Sequence, residues 1–328
     1  MFGYLARRLT YYIVLAFIAT SLTYMLASLS FNPRAAYEAR NPRPPAAVIT
    51  TQLDAIGVND EDPLLGRYGA WVGRTVTGDM GLTLSQQSVN DQFGARIGVS
   101  LRLLLIGSIL GIVLGVLVGF WNAVRQYKLS DRVTTILAFI LMSTPVFLSA
   151  VLLKIGATGL NDLLGIQLIN FTGEATAGFR GTFWEMIGDR AVHLLLPTIS
   201  ISVGLIAIYS RYQRATMLDV LNSDYIRTAR AKGLSRTRAT MKHGLRTALI
   251  PMTTLFAYGF LGAFLGATFT EKIFGWNGLG AWFIDAVQAQ DVNVVVAYTL
   301  FASVVVLLAG FLADIANAAL DPRVRTRK

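Results

Sequence analysis

The stretch DYIRTARAKGLSRTRATMKHGLRTALIP, residues 224–251, decides how this chain is read. It is basic and amphipathic, and long apolar segments precede and follow it. Within it, Gly233 can take a positive φ and stop one short helix, with Leu234 as the apolar residue that follows such a stop. Ser235 can then cap a second helix, its hydroxyl accepting from the N–H of Thr237 or Arg238. The pattern predicts two short helices with a sharp bend, a bracket lying along a membrane surface. The same residues also suit an ordinary loop whose Lys and Arg follow the positive-inside bias.

What surrounds the bracket is membrane-like. Of 328 residues, 54% are hydrophobic and only 15% charged, and the mean hydropathy is +0.53, outside the range of a soluble domain of this size. The chain reads as an all-α integral membrane protein with one transmembrane domain over residues 1–328. Six spans are expected at residues 9–31, 99–121, 133–157, 191–209, 248–270 and 292–313. The first lacks the short apolar core and cleavage site of a secretory signal and is expected to be retained. An external loop covers residues 32–98 and a cytoplasmic loop residues 211–247.

The long external loop carries order signals. Asp62 and Pro63 are a good helix start, after which Leu64, Leu65, Tyr68, Trp71, Val72, Thr75 and Val76 share a face. Ser88 can cap a further helix, with Val89, Phe93 and Ile97 leading into the next span. That span places Gly107, Gly111, Gly115 and Gly119 at four-residue intervals, a stripe that lets another helix approach closely in lipid. Pro145 is expected to kink the third span. Residues 248–270 carry small residues on two ridges, Gly259, Ala263 and Ala267 beside Gly262 and Gly266. One ridge can serve packing and the other a pore lining. Arg102 and Lys154 are expected to snorkel, and His193 to be a packed or interfacial residue.

Charge tests the topology. The proposed inner side carries 18 Lys and Arg against 9 in the outer loops, while the outer loops hold 14 of the 19 acids. Both termini are therefore expected in the cytoplasm.

The missing chemistry matters as much. No Gly-x-x-x-x-Gly-Lys-Ser/Thr stretch occurs to cradle ATP phosphates, and no His-Glu-x-x-His or Gly-x-Ser-x-Gly motif occurs. The spans hold no carboxylate pair or His–carboxylate chain for proton coupling. With zero Cys there are no disulfides and no thiolate metal sites. The expectation is no catalytic, cofactor or metal site in this chain and no nucleic-acid binding. Energy must come from a partner or from the solute gradient.

The stretch Thr228-Ala229-Arg230-Ala231-Lys232-Gly233-Leu234-Ser235 resembles the coupling motif of permease subunits in bacterial ATP-binding-cassette importers. The match is to the first permease of the dipeptide, oligopeptide and nickel group. Residues 67–85 with Gly78-Asp79-Met80-Gly81, residues 143–153 (STPVFLSAVLL), residues 271–280 and the LDPRVR tail at 320–325 resemble the same group. Two sites depart from it: Asn277 stands where Pro-Gly is common, and Asn32-Pro33-Arg34-Ala35 replaces Pro-Gly-Asp-Pro. The resemblance implies a type I importer permease fold in the bacterial cytoplasmic membrane. It implies a second homologous permease, two cytoplasmic ATPases that bind ATP and Mg, and an external substrate-binding protein. It implies that Tyr225 and Thr228 to Ser235 dock on an ATPase, and that the substrate is a short peptide. Nickel chelates, glutathione or another small solute are alternatives within the group. From another class, a self-contained secondary carrier or channel would need inverted repeats or broken helices in matching halves.

Overall fold

The computed structural model describes the backbone of residues 2–320 and their side chains except at 2–6, 236, 253, 254, 257, 258, 260, 261, 265 and 317–320. The basic tail at 321–328, with most of the LDPRVR stretch, lies outside the described residues. Described residues form helices α1 (Phe2–Ser30), α2 (Pro33–Glu38), α3 (Ala46–Ile56), α4 (Leu64–Val76), α5 (Val89–Val124), α6 (Leu129–Ser143), α7 (Val146–Leu164) and α8 (Phe183–Leu221). Then come α9 (Asp224–Ala231), α10 (Arg236–Ala239), a π-helical turn (Thr240–Gly244), α11 (Leu245–Leu249), α12 (Met252–Phe274), α13 (Leu279–Ala289) and α14 (Val292–Leu320). Among the described residues there is no strand, only an isolated bridge between Leu82 and Ser88.

Among the described residues, five helices are long and apolar enough to cross a membrane, at Arg7–Ser30, Val89–Val124, Val146–Leu164, Phe183–Leu221 and Val292–Ala316. A further helix, α12, has 23 residues (Met252–Phe274) and covers the expected span at 248–270 from residue 252 on. The third expected span differs most. At 133–157 the chain is two helices: Thr144 is extended (φ −92°, ψ 120°) and α7 restarts behind Pro145. Proline disfavours the helical region for the residue before it and has no N–H to donate, so the expected kink is a full break. Two helices also outrun the hydropathy boundaries, α5 with 36 residues and α8 with 39. The Ser88 hydroxyl accepts from Asp91 N–H (3.2 Å) at the start of α5. A reciprocal capping box between Thr182 and Glu185 starts α8.

The chain divides into two compact units: residues up to 101 with 277–307, and residues 102–276 with those from 308. Both α5 and α14 contribute residues to each unit.

The first unit orders most of the external loop. Trp71 on α4 stacks on Tyr24 of α1 (4.9 Å between centroids), and Tyr68 donates to Ser21 Oγ at 2.9 Å. Ile49, Leu53 and Ile56 of α3 are buried in the same core. Arg34 reaches Asp60 (2.7 Å) and Glu61 (2.9 Å), and its guanidinium holds the Asp60 carboxyl below the usual range. The start of α14 clamps this layer. Asp291 accepts from Leu84 N–H (2.8 Å) and Val294 N–H (3.2 Å), while Asn293 Nδ2 donates to the carbonyls of Ile56 (2.9 Å) and Leu82 (2.8 Å). Burial pushes the Asp291 carboxyl up. Its contribution is therefore full below the unfolded pKa and declines as pH rises through the folded one. Asp291→Ala leaves two buried N–H groups without acceptors, at a cost of about 1–3 kcal/mol each. Limited proteolysis is expected to cut the 82–88 segment several-fold faster in that variant; an unchanged rate would remove Asp291 from this role.

In the second unit α8 packs against α6, α7 and α12. Lys154 is half-buried and donates to the Ile273 carbonyl at 3.0 Å, capping the C-terminal end of α12. His193 is buried, with its ring nitrogens 3.2 Å from Thr176 Oγ1 and from the Gly173 carbonyl oxygen, a packed residue.

Candidate functional site

The bracket begins where α8 ends. After Leu221, Asn222 and Ser223 turn the chain and Ser223 Oγ donates to the Val220 carbonyl at 2.6 Å. Two residues of α9 anchor it: Ile226 and Ala229 are buried in a cluster with Met217, Val220, Ala123, Ala239 and Ala248. Burying the Ile226 side chain alone is worth about 1.5–3 kcal/mol. At the other end Gly233 adopts φ +91°. Its N–H donates to the Arg230 carbonyl (2.9 Å) and Leu234 N–H to the Ala229 carbonyl (3.3 Å), the paired bonds of a Schellman stop. Leu234 packs on the same cluster. Ser235 Oγ then accepts from Arg238 N–H at 3.3 Å and opens α10. A β-carbon added at Gly244 would lie 2.9 Å from Val220 Cγ1, so this glycine lets the returning chain approach α8.

The anchoring leaves one face exposed. Tyr225, Thr228, Arg230, Ala231, Lys232, Gly233 and Ser235 are exposed, Leu234 is half-buried and Ala229 faces inward. Eight of these nine sequence candidates are thus at least partly accessible, and Ala229 serves packing. The exposed face is basic with small residues, on a helix whose inner edge is fixed.

The bracket is joined to a long lever. The 39 residues of α8 extend about 58 Å at the helical rise. The Asp131 carboxylate receives both Arg214 Nε (2.6 Å) and Nη2 (2.8 Å) from α8, and also Tyr127 N–H (2.9 Å). The guanidinium beside it holds the buried Asp131 carboxyl below its usual range. A depressed folded pKa means that this stabilisation is present at neutral pH and is lost only as pH falls through that pKa. Asp131→Ala strands Arg214 and is expected to cost about 3–5 kcal/mol. Thermal unfolding of the purified protein should fall accordingly at neutral pH, with the gap to wild type narrowing in acid; an equal gap at both pH values would contradict the assignment.

The glycine stripe of α5 faces α8 along its length. Added β-carbons would fall 2.9 Å from Ile201 at Gly107, 2.7 Å from Leu205 at Gly111, 2.7 Å from Tyr209 at Gly115 and 2.5 Å from the Ser210 carbonyl at Gly119. Ser202 Oγ adds a bond to the Gly107 carbonyl at 2.9 Å. The ridges on α12 divide differently. Gly259 receives Tyr209, whose hydroxyl donates to the Leu255 carbonyl at 2.9 Å, while nothing among the described residues lies within 4 Å of a β-carbon added at Gly262. Gly259, Gly262, Ala263 and Gly266 together line an apolar cavity of about 280 Å³ with Val146, Gly204 and Ile208. Sequence reasoning missed Tyr209 and the Asp131–Arg214 pair; partners 83 residues apart leave no local signal.

Residues 71–326 match the family described as binding-protein-dependent transport system inner membrane component. Over 325 residues, 99% of each chain, the protein is 54% identical to the oligopeptide transport system permease protein OppB of Mycobacterium tuberculosis. It is 34% identical over 275 residues, 83% of each chain, to the oligopeptide transport system permease protein AppB of Bacillus subtilis. It is 30% identical over 326 residues, 99% of each chain, to the glutathione transport system permease protein GsiC of Escherichia coli. With its apolar helices, the protein is a multi-pass membrane transport subunit. The chain belongs to the inner membrane components of binding-protein-dependent transport systems.

Proposed function

We propose that this chain forms one half of an alternating-access pathway that imports short peptides, driven by ATP hydrolysed on partner subunits. The observation that carries the coupling part is α9, fixed along its inner edge and exposed along its basic face, at the end of the long helix α8. A docked helix of this kind passes a rigid-body movement to the spans, and the glycine-lined α5–α8 contact permits two close-packed arrangements. In this reading the termini are cytoplasmic, α12 is a sixth span and the cavity beside Gly262 belongs to the pathway wall. The assembly contains a second homologous permease, two ATPases that bind ATP and Mg, and an external binding protein. The resemblance to the mycobacterial and Bacillus oligopeptide transport permeases favours peptides as cargo.

The test is to isolate the intact assembly in proteoliposomes with its binding protein and measure ATP hydrolysis with oligopeptides, glutathione and a nickel chelate in turn. Stimulation and uptake with oligopeptides are expected. Stimulation by glutathione or the chelate alone would replace the cargo, and a chain that transports without an ATPase would overturn the coupling.

A further inference from the structure

At the end of the second unit that the charge count places outside, a cavity of about 250 Å³ is lined by Arg102, Glu174, Ile187, Arg190, Leu194 and Trp276, with Ala191 between. Arg102 Nη2 donates to Glu174 Oε2 at 2.5 Å, with the side chains 47% and 29% exposed. Arg190 is exposed and, among the described residues, forms no ion pair. Its neighbour Asp189 is taken up by Thr176, accepting from the backbone N–H (2.8 Å) and from Oγ1 (2.6 Å). The cavity wall therefore carries two guanidiniums against one carboxylate. The Asp189 charge is felt at Arg190 without pairing with it, so among the described residues the Arg190 guanidinium keeps a planar fork suited to a carboxylate.

The site is held in place before any ligand arrives. Gly173 N–H donates to the Phe274 carbonyl at 2.8 Å, and the segment carrying Glu174 is tied again at Thr176. Trp276 is buried, its backbone N–H donates to the Glu271 carbonyl at 2.8 Å, and its indole Nε1 has no acceptor among the described residues. Beside the charges, Ile187, Ala191 and Leu194 of α8 supply apolar surface. The volume is just under the roughly 300–1,000 Å³ of pockets that enclose a drug-sized ligand, so the cavity suits a chain end and not a whole extended peptide.

We infer that this cavity receives the C-terminal end of a peptide, its carboxylate on Arg190 and Arg102 and its last side chain against Ile187, Leu194 and Trp276. The inference rests on the peptide reading above. Glu174 then acts as an internal stand-in that holds Arg102 until the incoming carboxylate competes for it. A terminal carboxylate is present on every unmodified peptide, so the contact is independent of sequence, and the uncharged wall selects no particular side chain.

The experiment uses the assembled importer in proteoliposomes with its binding protein, and two probes, trialanine and trialanine amide. The readout is the acid-to-amide ratio of uptake efficiency, compared between variants with the same binding protein so that the latter's own preference cancels. Arg190→Gln is expected to lower the ratio about tenfold through KM, the loss of one charge-assisted contact. Arg190→Lys should keep most of it. Glu174→Gln releases Arg102 and should raise the ratio about threefold. An unchanged ratio in Arg190→Gln overturns the site while leaving peptide import standing. An equal fall for both probes also overturns it and assigns the charge to contact with a partner protein. A wild-type assembly that imports neither probe overturns the peptide reading itself.

Discussion

Gly233→Val is expected to reduce import at least tenfold while leaving the protein in the membrane at its normal level. The reason is conformational. Gly233 sits at φ +91° with nothing among the described residues within 4 Å of an added β-carbon, so bulk as such meets no obstacle among them. What fails is the backbone: a β-branched residue in this region costs about 1–3 kcal/mol. The cost falls on the two bonds that end α9, and relaxing it re-aims Leu234, Ser235 and α10 relative to the anchored Ile226. A docking helix displaced in this way transmits its movement poorly, so the loss should appear in peptide-stimulated ATP hydrolysis and in uptake together. Gly233→Asn is the discriminating control. Asparagine tolerates the left-handed region better than other side chains and should retain import within about threefold. Full-rate import by the valine variant would sink the coupling role, and equal loss in both variants would mean that the absent side chain, not the backbone angle, is what a partner requires.

The second large effect lies in the glycine stripe. Gly119→Ala is expected to destabilise the protein more than any other single methyl added to the stripe. Its β-carbon would meet the Ser210 carbonyl oxygen at 2.5 Å, Gln213 Cβ at 2.6 Å and Arg214 N at 3.0 Å. Two of these three are backbone atoms of α8 that no rotamer change can move. The helices must separate, and overpacking of this kind costs about 1–3 kcal/mol or more. It also strains the Arg214 side that holds Asp131. At Gly107 the nearest atoms all belong to the Ile201 side chain, the closest at 2.9 Å, which has some freedom to turn away. At Gly262 nothing among the described residues lies within 4 Å of an added β-carbon. Thermal unfolding in detergent should rank the variants with Gly119→Ala lowest, Gly107→Ala above it and Gly262→Ala near wild type. A reversed order would show that the α5–α8 contact does not set the stability of this unit.

Both expectations begin from residues that are visible in the sequence, and the contrast between them shows how far the sequence reaches. The stop at Gly233, the apolar Leu234 behind it and the cap at Ser235 depend on bonds between residues at most five positions apart. The helix start at Pro63 and the interruption at Pro145 are equally local, because proline acts on its own φ and on the residue before it. The four-residue glycine spacing likewise declares a close-packing face.

The neighbour that fills a face is set by the tertiary structure. That α8 and not another helix meets the stripe, that Tyr209 enters the notch at Gly259, and that Asp131 finds Arg214 all depend on how distant segments pack. Hydropathy also misplaced helix ends, since it measures where lipid-compatible residues stop. Polar residues such as those at 211–221 continue a helix beyond that point without breaking it. The chain's sequence alone thus determined membrane residence, the bracket and its stop, because capping, proline geometry and apolar run length act over one or two helical turns. Only the tertiary structure decided which face of α9 is exposed, what the glycines receive and where Arg102, Glu174 and Trp276 converge, because those outcomes follow from packing and charge pairing between residues tens to hundreds of positions apart.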